Sequence, residues 1–195
     1  YNKKLNLTCA KVAEELQIGF CVGSQRIALI DKELVKSFEV VKEFDVPLKF
    51  ANIGATQLVR QGNKKPLSID DIHKLVEMID ADVLTVFLNP SQELIQPEGD
   101  ENFNGILEKI EELSQTFTVN VKEIGCGISK EVAAALKNAG VKGIEVAGVS
   151  GTSWIAVEHY RAKRARIDVK AELGKLFWNW GIPAPISVLE CRSVC

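Results

Sequence analysis

The residues best suited to chemistry lie together in one run, Asn89-Pro90-Ser91-Gln92-Glu93-Leu94-Ile95-Gln96-Pro97-Glu98-Gly99-Asp100. Its amides offer paired donors and acceptors, and its carboxylates offer oxygens for protons or hard cations. Two prolines fix it as a long loop, and a loop this dense in polar groups points to function. Lys122, between Val121 and Glu123, falls inside an otherwise apolar run. A lysine there is costly unless it meets an anion or points into a polar site. The alternative is a structural ion pair with Glu123 or a neighbour. Arg26 follows Gly23-Ser24-Gln25, where a fork-shaped cation suits a phosphate, although a plain surface arginine fits the position equally. Gly148-Val149-Ser150-Gly151-Thr152 leads toward a helix expected over residues 154–160. Such a turn either exposes amides to a phosphate or is simply tight.

Hydrolytic sets are absent. The two histidines, His73 and His159, fall in expected helices, no His-Glu-x-x-His occurs, and no serine sits in a nucleophile elbow.

The elements that must position these groups show a regular rhythm. Short β-branched apolar runs occur at 18–23, 48–54, 83–89, 119–125, 143–148 and 182–190. Amphipathic segments lie between them, with stripes at Leu34, Phe38 and Val41, at Ile106, Ile110 and Leu113, and at Val132, Ala135, Leu136 and Ala139. Ser68-Ile69-Asp70-Asp71 has the spacing of a capping box before a helix ending near Met78. Ser129 can cap the helix that Gly140 ends. Strands alternating with helices, starting about 24 to 39 residues apart, imply parallel βαβ units. Two architectures fit, an open doubly wound sheet or a (β/α)8 barrel. No Gly-x-Gly-x-x-Gly turn follows the first strand, which favours the barrel. Six strands in 195 residues then read as one α/β domain over 1–195, a TIM (β/α)8 barrel lacking its first and last strands. The missing initiator Met (the single Met is Met78) and the abrupt ends at Tyr1 and Cys195 suggest cut termini. In a barrel, the working residues lie just past the strand C-termini, where all the runs named above fall.

Composition sets outer bounds. A net charge of −2 with 46% hydrophobic and 26% charged residues fits a globular chain with no general attraction to nucleic acid or anionic membrane. No apolar run reaches the roughly 18 residues of a spanning helix. Cysteines at 9, 21, 126, 191 and 195 lack zinc or redox spacing, so most are expected to be reduced and buried in a cytoplasmic protein. Cys191 and Cys195 remain a conceivable metal pair. The basic cluster at 161–166 reads as a solvated helix end, and the sequon Asn6-Leu7-Thr8 carries little weight.

Taken in order, the motifs resemble the type 2 isopentenyl diphosphate isomerases. These are Gly23-Ser24-Gln25-Arg26, Asn52-Ile53-Gly54, Leu88 to Glu93 through Gln96-Pro97-Glu98-Gly99, Val121-Lys122-Glu123, Gly151-Thr152-Ser153-Trp154 and Trp180-Gly181-Ile182-Pro183. The Asn-Pro-x-Gln-Glu…Gln-Pro-Glu-Gly block is the specific part. That family is an FMN-dependent (β/α)8 barrel that moves a double bond between isopentenyl and dimethylallyl diphosphate. The resemblance implies reduced FMN, Mg²⁺ on the diphosphate and NADPH as reductant. It implies flavin contacts from Ser24, Asn52, Lys122 and Thr152, and diphosphate binding by Arg26. It places Asn89 and Gln92 at the substrate carbons, with Gln92 implicated in proton transfer, and Glu93 on the metal. An amide is a poor acid, so the flavin shares or dominates that transfer. It also implies a homo-oligomer, a tetramer or octamer.

The sequence departs from the family at Phe87, where a diphosphate-binding His is usual, and at Ser150, where Gly is usual. The family's N-terminal basic segment, first-strand Thr-Gly-Met-x-Gly-Gly and late Gly-Gly-Ile-Arg motifs have no counterpart. Two alternatives therefore accompany the isomerase reading. One is a degenerate, non-catalytic flavin-type barrel. The other is an FMN oxidoreductase of the hydroxy-acid oxidase type, which needs a His base that the strand ends lack.

Overall fold

The computed structural model describes residues 2 to 195. Helix α1 (Asn2–Leu16) leads into β1 (Phe20–Cys21), followed by α2 (Arg26–Ile30), α3 (Val35–Glu39) and β2 (Lys49–Gly54). Then come α4 (Ile69–Glu77), β3 (Val83–Leu88), α5 (Pro90–Ile95), α6 (Ile106–Ser114), β4 (Val119–Glu123), α7 (Lys130–Asn138) and β5 (Gly143–Glu145). Three helices close the chain, α8 (Trp154–Arg164), α9 (Asp168–Leu176) and α10 (Ala184–Arg192).

The five strands form one sheet in the order β1-β2-β3-β4-β5, every pair parallel. Each strand lies beside its predecessor, with no switch point, which is the order of a barrel wall and excludes the doubly wound alternative. The fold is thus a curled α/β half-barrel of five strands.

Alternation along the strands separates two faces. On one face, Ala51 pairs with Leu84 and Leu84 with Val119, while Ile53 pairs with Val86 and Val86 with Val121. All six side chains are completely buried. Each contributes roughly 1.5–3 kcal/mol if large and aliphatic, less for Ala51. The core continues into Ile72 and Leu75 of α4, Ile110 and Leu113 of α6, and Ala133 and Leu136 of α7. On the other face, the register aligns Asn52, Thr85, Asn120 and Gly143 in one row, and Gly54, Phe87, Lys122 and Glu145 in the next. The helix side is aliphatic and the opposite, concave side is polar.

Local signals explain the helix ends. Ser68 accepts from Asp71 N–H while Asp71 accepts from Ser68 N–H, the reciprocal capping box expected before α4. Ser129 caps α7 through Val132 N–H, and Gly140, at φ +85°, ends it in the left-handed conformation.

Three expectations need correction. The run at 182–190 is not a sixth strand but helix α10, entered through Pro183, with Pro185 in its first turn. Its buried residues, Ser187 and Cys191, are spaced four apart, the period of a helix. The run after Asn89 is a loop only in its second half, because Pro90 starts the six-residue helix α5 and the irregular segment begins at Gln96. Of the cysteines, all free, only Cys191 is buried; Cys9, Cys21 and Cys126 are half-buried and Cys195 is exposed. Among the described residues, no cluster of three His, Cys, Asp or Glu could hold a metal, and no helix is long and apolar enough to cross a membrane. Asn6 is buried with its amide on Ser37 O, a poor sugar acceptor.

Candidate functional site

The polar concave face opens into a cavity of about 660 Å³ at the C-terminal ends of the strands. Ser24, Asn52, Gln92 and Lys122 line it, with Phe87, Glu145 and Trp154. Four residues singled out from the sequence thus share one space, although they lie up to 98 positions apart.

Asn52 is held by its neighbours. Its Nδ2 donates to Val22 O at 2.8 Å, and its N–H donates to Gln25 Oε1 at 3.0 Å. Gln25, fully buried, also donates to Leu75 O and so joins β1, β2 and α4. Asn52 Oδ1 is buried and has no partner. An unmade buried hydrogen bond costs about 1–3 kcal/mol, so this oxygen marks where a donor belongs.

Lys122 stands in register between Phe87 and Glu145, half-buried. No ion-pair partner lies within 4.0 Å of it among the described residues. Glu123 does not pair with it. Instead, Glu123 Oε2 accepts the N–H groups of Gly125, Cys126 and Gly127 at 2.6, 2.5 and 2.8 Å, which shapes the turn after β4. Glu145 accepts from Asn120 Nδ2 at 2.5 Å. Burial pushes the Cys21 thiol up, against the pull of Lys122, so it stays protonated at neutral pH.

Helix α5 sets the next layer. Pro90 occupies its first position, placing Gln92 and Glu93 in the first turn. Asn89 Nδ2 donates to Gln92 Oε1 at 3.2 Å and to Glu93 Oε1 at 2.8 Å. Gln92 Nε2 donates to Glu158 Oε1 at 2.9 Å. Arg161 Nη1 donates to the other oxygen of Glu158 at 2.6 Å, and Arg161 also pairs with Glu98. The Gln92 amide is therefore fixed in orientation, with its oxygen toward Asn89 and its nitrogen toward a carboxylate. Asn89 Oδ1 is a second buried acceptor without a partner.

Glu158 escaped the sequence reading. It is only 2% exposed on α8, on the same side as Ile155, His159 and Ala162. A carboxylate on an apolar stripe was the available signal. Arg161, exposed in the last turn of α8 as the solvated helix end expected there, is also its counter-ion, and Glu98 followed by Glu158 raises its pKa. His159 is structural, its Nδ1 bonded to Ala171 O at 2.6 Å.

The remaining candidates lie apart from the main cavity. Glu93, 6% exposed, accepts from Asn89, from Gln96 Nε2 at 2.6 Å and from Asp100 N–H at 2.8 Å. Thr152 is exposed and lines a small adjoining cavity of about 50 Å³, which shares Gln92, Glu123 and Trp154 with the main one. The glycine-rich turn is tight: Gly148, at φ +116°, packs so closely on Ala184 that a Cβ would lie 2.7 Å from its Cα. Ser153, not a glycine, caps α8, accepting from Ala156 N–H and donating to Trp178 O. Arg26 faces a different cavity, where it lies 3.8 Å from Asp100.

No family model matches the chain. It is 48% identical to a protein of Thermoplasma volcanium over 192 residues, 98% of this chain and 55% of that one. A protein of Methanococcoides burtonii is 50% identical over 192 residues, 97% of this chain and 51% of that one. One of Archaeoglobus fulgidus is 43% identical over 196 residues, 98% of this chain and 54% of that one. All three are isopentenyl-diphosphate delta-isomerases by name. The chain spans about half the length of these isomerases.

Proposed function

We propose that the protein is an isopentenyl-diphosphate delta-isomerase of the type 2 class, acting in isoprenoid biosynthesis. It would use reduced FMN, Mg²⁺ and NADPH as flavin reductant, in the cytoplasm, as a homo-oligomer. The observation that carries this reading is the Gln92 amide, pinned between Asn89 and Glu158 at the edge of the cavity lined by Ser24, Asn52 and Lys122. Identity of 43–50% to named isomerases over nearly the whole chain supports the substrate class. NADPH and the oligomer rest on the resemblance alone.

The residues present fit a flavin. The orphaned Asn52 Oδ1 can accept from a ring N–H, and the Ser24 hydroxyl can add a polar contact. Lys122, unpaired among the described residues, suits the electron-rich pyrimidine edge of a reduced ring. Thr152 would contact the phosphate-bearing tail, a role supported by its cavity sharing Gln92 and Trp154 with the main one. When bound, reduced FMN supplies an electron-rich surface for proton exchange at the double bond.

A metal fits less openly. A carboxylate has about four lone-pair sites, and Glu93 already spends three on protein donors. It can therefore offer Mg²⁺ one oxygen, leaving the other positions to diphosphate and water, as that ion commonly accepts.

The chain's own residues then divide the work. Arg26 holds the diphosphate. Asn89, with its free Oδ1, and Gln92 fix the carbon skeleton. Gln92 relays or holds a proton only through Glu158, because an amide alone is neither acid nor base near pH 7. Trp154 and the apolar face of Phe87 exclude water from the carbons.

Phe87 favours a second reading, a non-catalytic barrel, since a phenyl ring cannot donate to phosphate. The oxidase alternative loses ground because both histidines are spent in helices, His73 against Phe117 and His159 on Ala171 O. The test is an anaerobic assay of the full-length protein with isopentenyl diphosphate, FMN, NADPH and Mg²⁺. Dimethylallyl diphosphate should form. Its absence, with activity gained in Phe87→His, would establish the non-catalytic reading instead.

A further inference from the structure

A second cavity, of about 400 Å³, lies between α2 and the segments that follow β2 and α5. Its wall carries three cations, Arg26, Lys64 and Lys65, against two carboxylates, Asp71 and Asp100. Asp71 is committed to capping α4 through Ser68. Asp100 is different. Its Oδ1 lies 2.6 Å from Lys64 Nζ and its Oδ2 lies 3.8 Å from Arg26 Nη1, with only 12% of its side chain exposed. Its N–H donates to Glu93 Oε2. One residue thus links the arginine assigned to the diphosphate with the carboxylate assigned to the metal.

The loop that carries Asp100 has fastenings besides that carboxylate. Asn102 N–H donates to Gln61 Oε1 at 3.0 Å, Asn102 Nδ2 to Arg60 O at 2.8 Å, and Gln61 Nε2 to Asn102 O at 2.7 Å. These three bonds fasten the segment after α5 to the segment after β2. The Arg26 contact, at 3.8 Å, is too long for a hydrogen bond. A carboxylate bonded at 2.6 Å to one cation and standing 3.8 Å from a second, above a cavity, occupies the place of an anion.

We propose that Asp100 is a resident counter-ion that the terminal phosphate of the substrate displaces, and that Lys64 is thereby a phosphate ligand beside Arg26. A phosphate carries more charge and more acceptor oxygens than a carboxylate and satisfies both cations at once. The identity of the substrate rests on the isomerase reading; the anion site does not.

The test is calorimetric titration of the full-length protein with inorganic pyrophosphate, alongside KM for isopentenyl diphosphate. Lys64→Gln should weaken pyrophosphate binding about tenfold, the loss of one charge-assisted bond. Asp100→Asn keeps the shape and the N–H to Glu93 but removes the competing charge, and should tighten binding several-fold. Lys11→Gln on α1, which removes the same charge elsewhere, should change affinity less than twofold. KM should move in the same directions. Pyrophosphate affinity that ignores both Lys64 and Asp100, or that weakens in Asp100→Asn, would overturn the proposal. Isomerisation with a KM indifferent to both variants would leave the isomerase reading standing without it. Lys64-dependent pyrophosphate binding without isomerisation would do the reverse.

Discussion

Replacing Glu158 by Gln keeps the shape of the side chain but removes its charge, and the structure shows where the damage goes. Glu158 accepts from both Gln92 Nε2 and Arg161 Nη1. An amide oxygen in its place can serve one of them, and the charged donor holds it more strongly. The new NH2 then faces the NH2 of Gln92. Gln92 must turn over to present its oxygen, which sets its own NH2 against Asn89 Nδ2, previously 3.2 Å from Gln92 Oε1. Somewhere along Asn89–Gln92–Glu158, one buried hydrogen bond goes unmade, at about 1–3 kcal/mol. If that amide positions the reacting carbons, kcat should fall roughly 5- to 150-fold. The assay is steady-state isomerisation with reduced FMN, with FMN affinity measured separately by fluorescence and expected to hold. Gln92→Ala combined with Glu158→Gln should be little worse than the worse single variant. A Glu158→Gln enzyme within twofold of the parent kcat, or losses that simply add, would refute the chain of positioning.

Lys122→Ala should weaken reduced FMN by about tenfold, roughly 1.4 kcal/mol, with a smaller effect on oxidised FMN; equal affinities in an anaerobic titration would remove the role assigned to Lys122. Gly174→Ala should destabilise the fold by about 1–3 kcal/mol in thermal unfolding, because a Cβ there would lie 2.8 Å from His159 Cβ and 2.9 Å from Ile95 Cγ2 where α9 crosses α8 and α5. Ser68→Ala should cost about 1 kcal/mol in the same measurement. The Ser68 hydroxyl and N–H hold the Asp71 carboxyl below its ordinary range. A depressed folded pKa gives stability that is complete above the unfolded value, about 3.9, and is lost as pH falls through the lower folded one. The acid limb of the stability profile should therefore be shallower in Ser68→Ala.

The sheet was legible because short β-branched apolar runs such as 48–54 and 83–89 alternate with capped amphipathic helices, and each local signal agreed with the next. The run at 182–190 misled because a short apolar stretch has no periodicity long enough to separate strand from buried helix. Pro183 and Pro185 were the better guide, since proline belongs at a helix start and not in a central strand. The segment after Asn89 was read as irregular for the opposite reason: its polar side chains hid a short helix that Pro90 begins. Of the residues singled out, Ser24, Asn52, Gln92 and Lys122 line one cavity, since the segments that follow parallel strands all lie at the same end of the sheet. Glu158 was passed over, and the pairing of Asp100, although it closes the polar run, was not legible, because both depend on partners 66 and 74 positions away, Gln92 and Arg26, which no local pattern encodes.

The central claim is proton transfer at the double bond of isopentenyl diphosphate, and isotope exchange reads it directly. The full-length protein, with reduced FMN and Mg²⁺, should be incubated with isopentenyl diphosphate in deuterated water and the product followed by NMR. The terminal methylene gains a proton and the carbon next to the phosphate-bearing one loses a proton, so deuterium should enter a methyl group of dimethylallyl diphosphate. Gln92→Ala should slow that incorporation. Product free of deuterium in the wild-type reaction, or substrate recovered unchanged, would contradict the account.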